Sequence, residues 1–100
     1  MPKFSIEVPH QLGQEEAVRR VQGLLQRVKD KYQSQVSDLE ESWADNVLTF
    51  KFKTYGFKIG GTLCTSADNV KLDGDLPIAA LAFKGRIQQT IRDELVKRLA

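Results

Sequence analysis

Cysteine and histidine are nearly missing from this chain: Cys64 and His10 stand alone. One thiol cannot close an internal disulfide, and no cysteine-based zinc site can be assembled. This usage fits a reducing cytoplasm. Long apolar runs are missing as well. The longest, Leu76 to Phe83, falls far short of the ~20 residues a membrane span requires. The opening residues Met1 to Val8 alternate in polarity instead of forming a continuous apolar stretch, so no signal peptide is expected. An excess of one charge is absent too. Fifteen Lys and Arg against 13 Asp and Glu leave a net charge of +2, too little by itself to imply a nucleic-acid partner.

Catalytic constellations are equally hard to find. His10 follows Pro9 where a strand gives way to a helix, a place for bonding free backbone groups, and no Ser/His/Asp or Cys/His set is legible. Cys64 falls in the outward phase of its strand with no flanking base. Asp68, Asp73 and Asp75 bracket Gly74, yet Lys71 and Leu72 interrupt the alternate oxygen ligands of a calcium loop. No enzyme, metal or cofactor is therefore expected.

What is present is ordinary soluble composition, 41% hydrophobic and 28% charged over 100 residues, read as a single domain spanning 1–100. Phe4, Ile6 and Val8 alternate with Lys3, Ser5 and Glu7, a strand closed by Pro9. Acidic Glu15 and Glu16 then open a helix whose apolar positions Ala17, Val18, Val21, Leu24, Leu25, Val28 and Tyr32 recur at three- and four-residue steps. That spacing predicts one helix of about five turns. Four strands follow. Val36 to Trp43 is irregular, because Glu41 falls inward between Leu39 and Trp43, as an edge-protecting charge or a bulge does. Leu48, Phe50 and Phe52 alternate cleanly, then Phe57, Ile59, Gly61 and Leu63, then Val70, Leu72, Gly74 and Leu76, with turns at Asp45-Asn46, Tyr55-Gly56 and Ser66 to Asn69. Pro77 opens the last helix, which carries Phe83, Ile87, Ile91, Leu95 and Leu99 at every fourth position.

Each strand has one apolar face, so the sheet is covered on one side only. Lys51, Lys53, Lys58, Thr62, Lys71 and Asp73 stay wet on the other. The expected fold is α+β: a two-layer sandwich of order βαββββα, five mainly antiparallel strands with two helices on one face. A long C-terminal helix on an antiparallel sheet is also similar to a reduced helix-grip fold.

Three surfaces are candidates for function. Ile78, Leu81 and Ala82 form an apolar collar off the stripe of the last helix, flanked by Lys84 and Arg86. The collar packs on the first helix, meets a second copy of the chain, or meets a hydrophobic body outside the protein. Gly61 and Gly74 on the apolar face, with Phe50, Phe57 and Phe83 around them, mark either tight packing under Gly85 or a small cavity for a hydrophobic ligand. Third, Arg19, Arg20, Arg27, Lys29 and Lys31 on one helix, with Lys84, Arg86, Arg92, Lys97 and Arg98 on the other, bias the helical layer towards phosphate. No aromatics interleave with these cations, which argues against nucleic acid.

Met1-Pro2-Lys3-Phe4-Ser5-Ile6-Glu7-Val8-Pro9-His10, Leu12-Gly13, Glu16-Ala17, Gly56-Phe57-Lys58-Ile59, Leu76-Pro77-Ile78-Ala79, Phe83-Lys84-Gly85 and Ile87 together resemble the polyhydroxyalkanoic acid system family, small bacterial proteins named for the storage-polyester granule region. The resemblance spans nearly the whole chain. It implies a cytoplasmic, granule-associated protein, with the polyester granule or its proteins as partner, and it carries no catalytic or binding residues over. The leading expectation is a non-enzymatic accessory protein acting by surface or partner contact. A hydrophobic-ligand carrier and a nucleic-acid-binding regulator are the alternatives.

Overall fold

The computed structural model describes residues 3–100; Met1 and Pro2, which open the first of the family-like motifs, lie outside the described residues. Strand β1 (Lys3–Pro9) buries Phe4, Ile6 and Val8 and exposes the residues between them, as its alternation requires. Three further strands, β3 (Val47–Thr54), β4 (Phe57–Thr65) and β5 (Asn69–Asp75), continue the pattern. With β2 (Val36–Ala44) they form one antiparallel sheet of order β1-β5-β4-β3-β2. The β3–β4 hairpin turns on Tyr55 and Gly56, both with positive φ, which is the type I′ geometry that matches strand twist. On the uncovered face Lys51, Lys53, Lys58, Thr62, Lys71 and Asp73 are exposed, as expected.

The sheet's two edges are handled differently. At the β1 edge, Gln88 donates to the Ser5 carbonyl across 3.2 Å, so a helix side chain occupies a backbone group that would otherwise invite another strand. At the β2 edge the register slips between Ser37 and Glu40, with Asp38 at φ 53°. Leu39, in the bulge, and Trp43, opposite Leu48, are half-buried against the core, while Glu41, opposite Phe50, is exposed. A bulge and an inward-phase charge on an edge strand both discourage edge-to-edge pairing.

The helical layer departs from expectation in two places. The long first helix is broken into α1 (Gln14–Val21) and α2 (Leu24–Lys31). Gly23 adopts φ 84° between them, a left-handed conformation that stops one helix and lets the next start at a new angle. The apolar spacing ran unbroken across this joint because both pieces bury the same side: Ala17 and Val21 from α1, then Leu24, Leu25 and Val28 from α2. The second departure is at Pro77, which opens a 3₁₀ segment, Ile78–Phe83, before α3 (Lys84–Leu99) begins. From there the expected stripe is buried: Ile87, Ile91, Leu95 and Leu99. One core unites the helices with Phe4, Ile6, Leu48, Phe50, Ile59, Leu63, Val70, Leu72 and Leu76. Among the described residues no helix is long and apolar enough to cross a membrane.

Candidate contact surface

The 3₁₀ geometry decides which side chains of the collar reach solvent. At three residues per turn, positions i and i+3 eclipse one another. Pro77, Ala80 and Phe83 therefore share the inward side; Ala80 is fully buried and its N–H donates to the Pro77 carbonyl at 2.9 Å. Ile78 and Leu81 share the outward side, 74% and 46% exposed, and Ala79 and Ala82 are exposed beside them. An α-helical pitch would have offset Ile78 and Leu81 by about 60° around the axis. The tighter pitch lines them up as an apolar ridge.

Aromatic rings fix the ridge in place. Phe83 stacks on Tyr55 with centroids 4.7 Å apart and planes 13° from parallel, and Phe57 lies 6.0 Å away at 45°. Such pairs contribute roughly 0.5–1.5 kcal/mol beyond their buried area. The tip of the β3–β4 hairpin thus braces the far end of the 3₁₀ segment. Lys84, half-buried, and Arg86, exposed, follow in the first turn of α3, where no acidic residue offsets the positive end of the helix dipole. The result is an exposed apolar ridge with a cationic border. Tyr55 was not singled out from the sequence; the Pro77, Ala80, Phe83 spacing was the one available signal, and it reads equally well as the start of an α-helix.

The residues grouped as a cavity are not brought together as one. Phe50, Gly61 and Gly74 sit in register across β3, β4 and β5, and Phe4 completes the row on β1. The ring of Phe4 occupies the space a side chain at Gly74 would need, and the Asp73 carbonyl closes on Gly61. Gly85, expected to be the close approach, has open space around its Cα. Phe57 and Phe83 belong instead to the hairpin-tip cluster. What remains near the two glycines is an open groove of about 390 Å³ bordered by Phe4, Lys84 and Gln88. The space directly over Gly74 is thus taken by Phe4 and that over Gly61 by the β5 backbone, and the groove beside them is open to solvent.

His10 is buried and fully engaged. Its Nδ1 accepts the Leu12 N–H at 3.2 Å, so Nε2 carries the proton and donates to the Ser66 carbonyl at 3.0 Å. The ring latches the β1–α1 connection to the β4–β5 turn. Cys64 is half-buried, with Asn46 Nδ2 4.0 Å from its sulfur.

The basic residues of the helical layer are unevenly used. Glu94, 1% exposed and not singled out from the sequence, gathers three cations: Lys31 at 2.6 Å, Arg27 at 3.7 Å and Lys97 at 3.7 Å. The Lys31 ammonium holds the Glu94 carboxyl below the usual carboxylate range and outweighs the opposing effect of burial. The same bond raises Lys31. Arg19 and Arg20 both bond Glu16, which is lowered in turn.

Fold and surface define a class: a small, helix-grip-like α+β protein whose apolar ridge stands clear of its core. The chain belongs to the polyhydroxyalkanoic acid system family; the family model, described as "Putative polyhydroxyalkanoic acid system protein", matches residues 4–99. No curated protein matches the chain in sequence. Among solved structures, TTHA0849 from Thermus thermophilus is similar in fold, with a TM-score of 0.58 and 18% identity over 98% of this chain and 94% of that one. Ara h 8.0201 aligns over 98% and 97% of the two chains at 8% identity, with a TM-score of 0.41.

Proposed function

We propose that this protein is a non-enzymatic accessory component of the bacterial polyhydroxyalkanoate system, working in the cytoplasm at the storage granule through surface contact. The observation that carries the reading is the ridge of Ile78 and Leu81, exposed on a segment whose other side is anchored by Ala80 and the Tyr55–Phe83 stack. Membership of the family supplies the context. A polyester particle presents aliphatic and ester groups to water. Fully burying an aliphatic side chain contributes roughly 1.5–3 kcal/mol, so two such anchors give weak, reversible docking. Lys84 and Arg86 at the border suit ester carbonyls and any anionic coat.

The test is co-sedimentation of purified protein with polyhydroxyalkanoate particles. The unaltered chain should pellet with the particles, and a chain with both Ile78→Asp and Leu81→Asp should stay in the supernatant. Equal partitioning of the two chains, or no pelleting of either, would show that the ridge is not a polyester-docking surface. Size-exclusion chromatography of the same pair tests the remaining occupant, a second copy of the chain.

A further inference from the structure

We infer that the cleft between the α1–α2 joint and the last turn of α3 is a binding site for a small phosphate-bearing anion, of the size of a diphosphate. The cleft is an open groove of about 480 Å³ at the end of the helical layer, where Arg19, Arg20, Arg27, Lys97 and Arg98 meet. Glu16, paired with Arg19 and Arg20, and Ala100, whose carbonyl accepts from Arg20 at 2.6 Å, complete its wall, which leaves Arg27, Lys97 and Arg98 as the cations for a ligand.

Three features separate it from a solvated basic face. First, one of its cations is held in place. Arg98 donates from Nε to the Arg20 carbonyl at 2.8 Å and from Nη2 to the Gln22 carbonyl at 2.9 Å, so its fork is fixed across the end of α1. Its Nη2 lies 3.7 Å from where a Cβ on Gly23 would sit, beside the start of α2, whose first turn carries no acidic residue. Second, donors remain to be used. A guanidinium offers five N–H groups, and Arg98 spends two of them on these carbonyls. Arg27 and Lys97 approach Glu94 only at 3.7 Å, beyond hydrogen-bond distance, and each is more than half exposed. Third, buried Glu94 works as a tether. Lys31 bonds its carboxylate at 2.6 Å, and Arg27 Nε and Lys97 Nζ each lie 3.7 Å from it, so one negative charge is shared among three cations and an excess of positive charge remains beside the cleft. Planar forks paired with a flexible ammonium match phosphate oxygens.

Composition and arrangement select among phosphates. The wall carries no aromatic side chain on which a base could stack, and the cations converge on one pocket rather than tracking along a groove. A polynucleotide therefore fits less well than a compact phosphate. This inference stands apart from the polyester reading, since the cleft residues and the ridge residues do not overlap.

The experiment is titration of the full chain with sodium pyrophosphate, followed by two-dimensional NMR and calorimetry. Saturable binding is expected, with shifts confined to Arg27, Lys97, Arg98 and the α1–α2 joint, and silent at Ile78 and Leu81. Removing two charge-assisted contacts by Arg27→Gln with Lys97→Gln should weaken binding at least about tenfold. Lys84→Gln with Arg86→Gln, which removes the same charge away from the cleft, should retain affinity to within about twofold, as a site rather than net charge requires. Absence of a saturable shift up to about 10 mM, or equal weakening by the two double variants, overturns the inference. Tighter and steeply salt-dependent binding of a single-stranded oligonucleotide also overturns it, in favour of a polynucleotide surface.

Discussion

Gly61 and Gly85 are the same residue in opposite surroundings. At Gly61 an added methyl would run into the Asp73 carbonyl and the Gly74 backbone, neither of which can step aside without breaking the β4–β5 ladder. Gly61→Ala is expected to destabilise the protein by about 1–3 kcal/mol, the usual result of forcing atoms into a filled interior. At Gly85 the added methyl meets nothing within 4 Å, and the backbone is already helical. Gly85→Ala should raise stability by roughly 0.5–1 kcal/mol through the smaller freedom of the unfolded chain. Urea denaturation of both variants checks the pair; similar midpoints would mean that the β4–β5 row tolerates a side chain after all. The glycines on the apolar face were legible in the sequence as sites of close approach. What approaches them was not: the Asp73 carbonyl reaches Gly61 through the β4–β5 ladder, and Phe4, far away along the chain, reaches Gly74 only through the β1–β5 pairing.

Among the elements, α2 and α3 are tied together by Glu94, and the tie gives acid sensitivity a definite sign. A folded-state pKa below the ordinary value of 4.5 means that the unfolded chain takes up a proton first as pH falls. The stabilisation is complete above that ordinary value and is lost as pH drops through the lowered folded value. Glu16, lowered by Arg19 and Arg20, acts in the same direction. Glu94→Gln should therefore flatten the decline in stability between about pH 5 and pH 3 without abolishing it. Urea midpoints measured across that range decide the matter; an unchanged slope would show that Glu94 is not held ionised by its cations. The strands were legible because alternation fixes both their faces and their register with short turns. The helical layer was less so. Gly23 interrupts a stripe that stays in phase on both sides of it, and a few residues after a proline fit a 3₁₀ or an α-helical pitch equally well. The buried role of Glu94 was hidden for a different reason: its cations Arg27 and Lys31 come from another helix.

For the whole molecule, the division between core and ridge is what makes a contact function testable apart from folding. The core runs from β1 through α3 and reaches the 3₁₀ segment only at Ala80 and, half-buried, at Phe83. Ile78 and Leu81 lie outside it. Replacing both with aspartate should therefore leave the urea midpoint within about 0.5 kcal/mol per site of the unaltered protein, as for other surface positions. Ala80→Leu is the opposing control. It forces a larger side chain into a fully buried position and should cost about 1–3 kcal/mol. Both aspartate substitutions also place negative charge near Lys84 and Arg86, so any small electrostatic effect should be stabilising rather than the reverse. Loss of more than about 1 kcal/mol in the aspartate variant would mean that the ridge packs as part of the fold, and a failure to sediment with polyester would then report unfolding instead of lost contact. Retained stability with lost sedimentation assigns the ridge to docking.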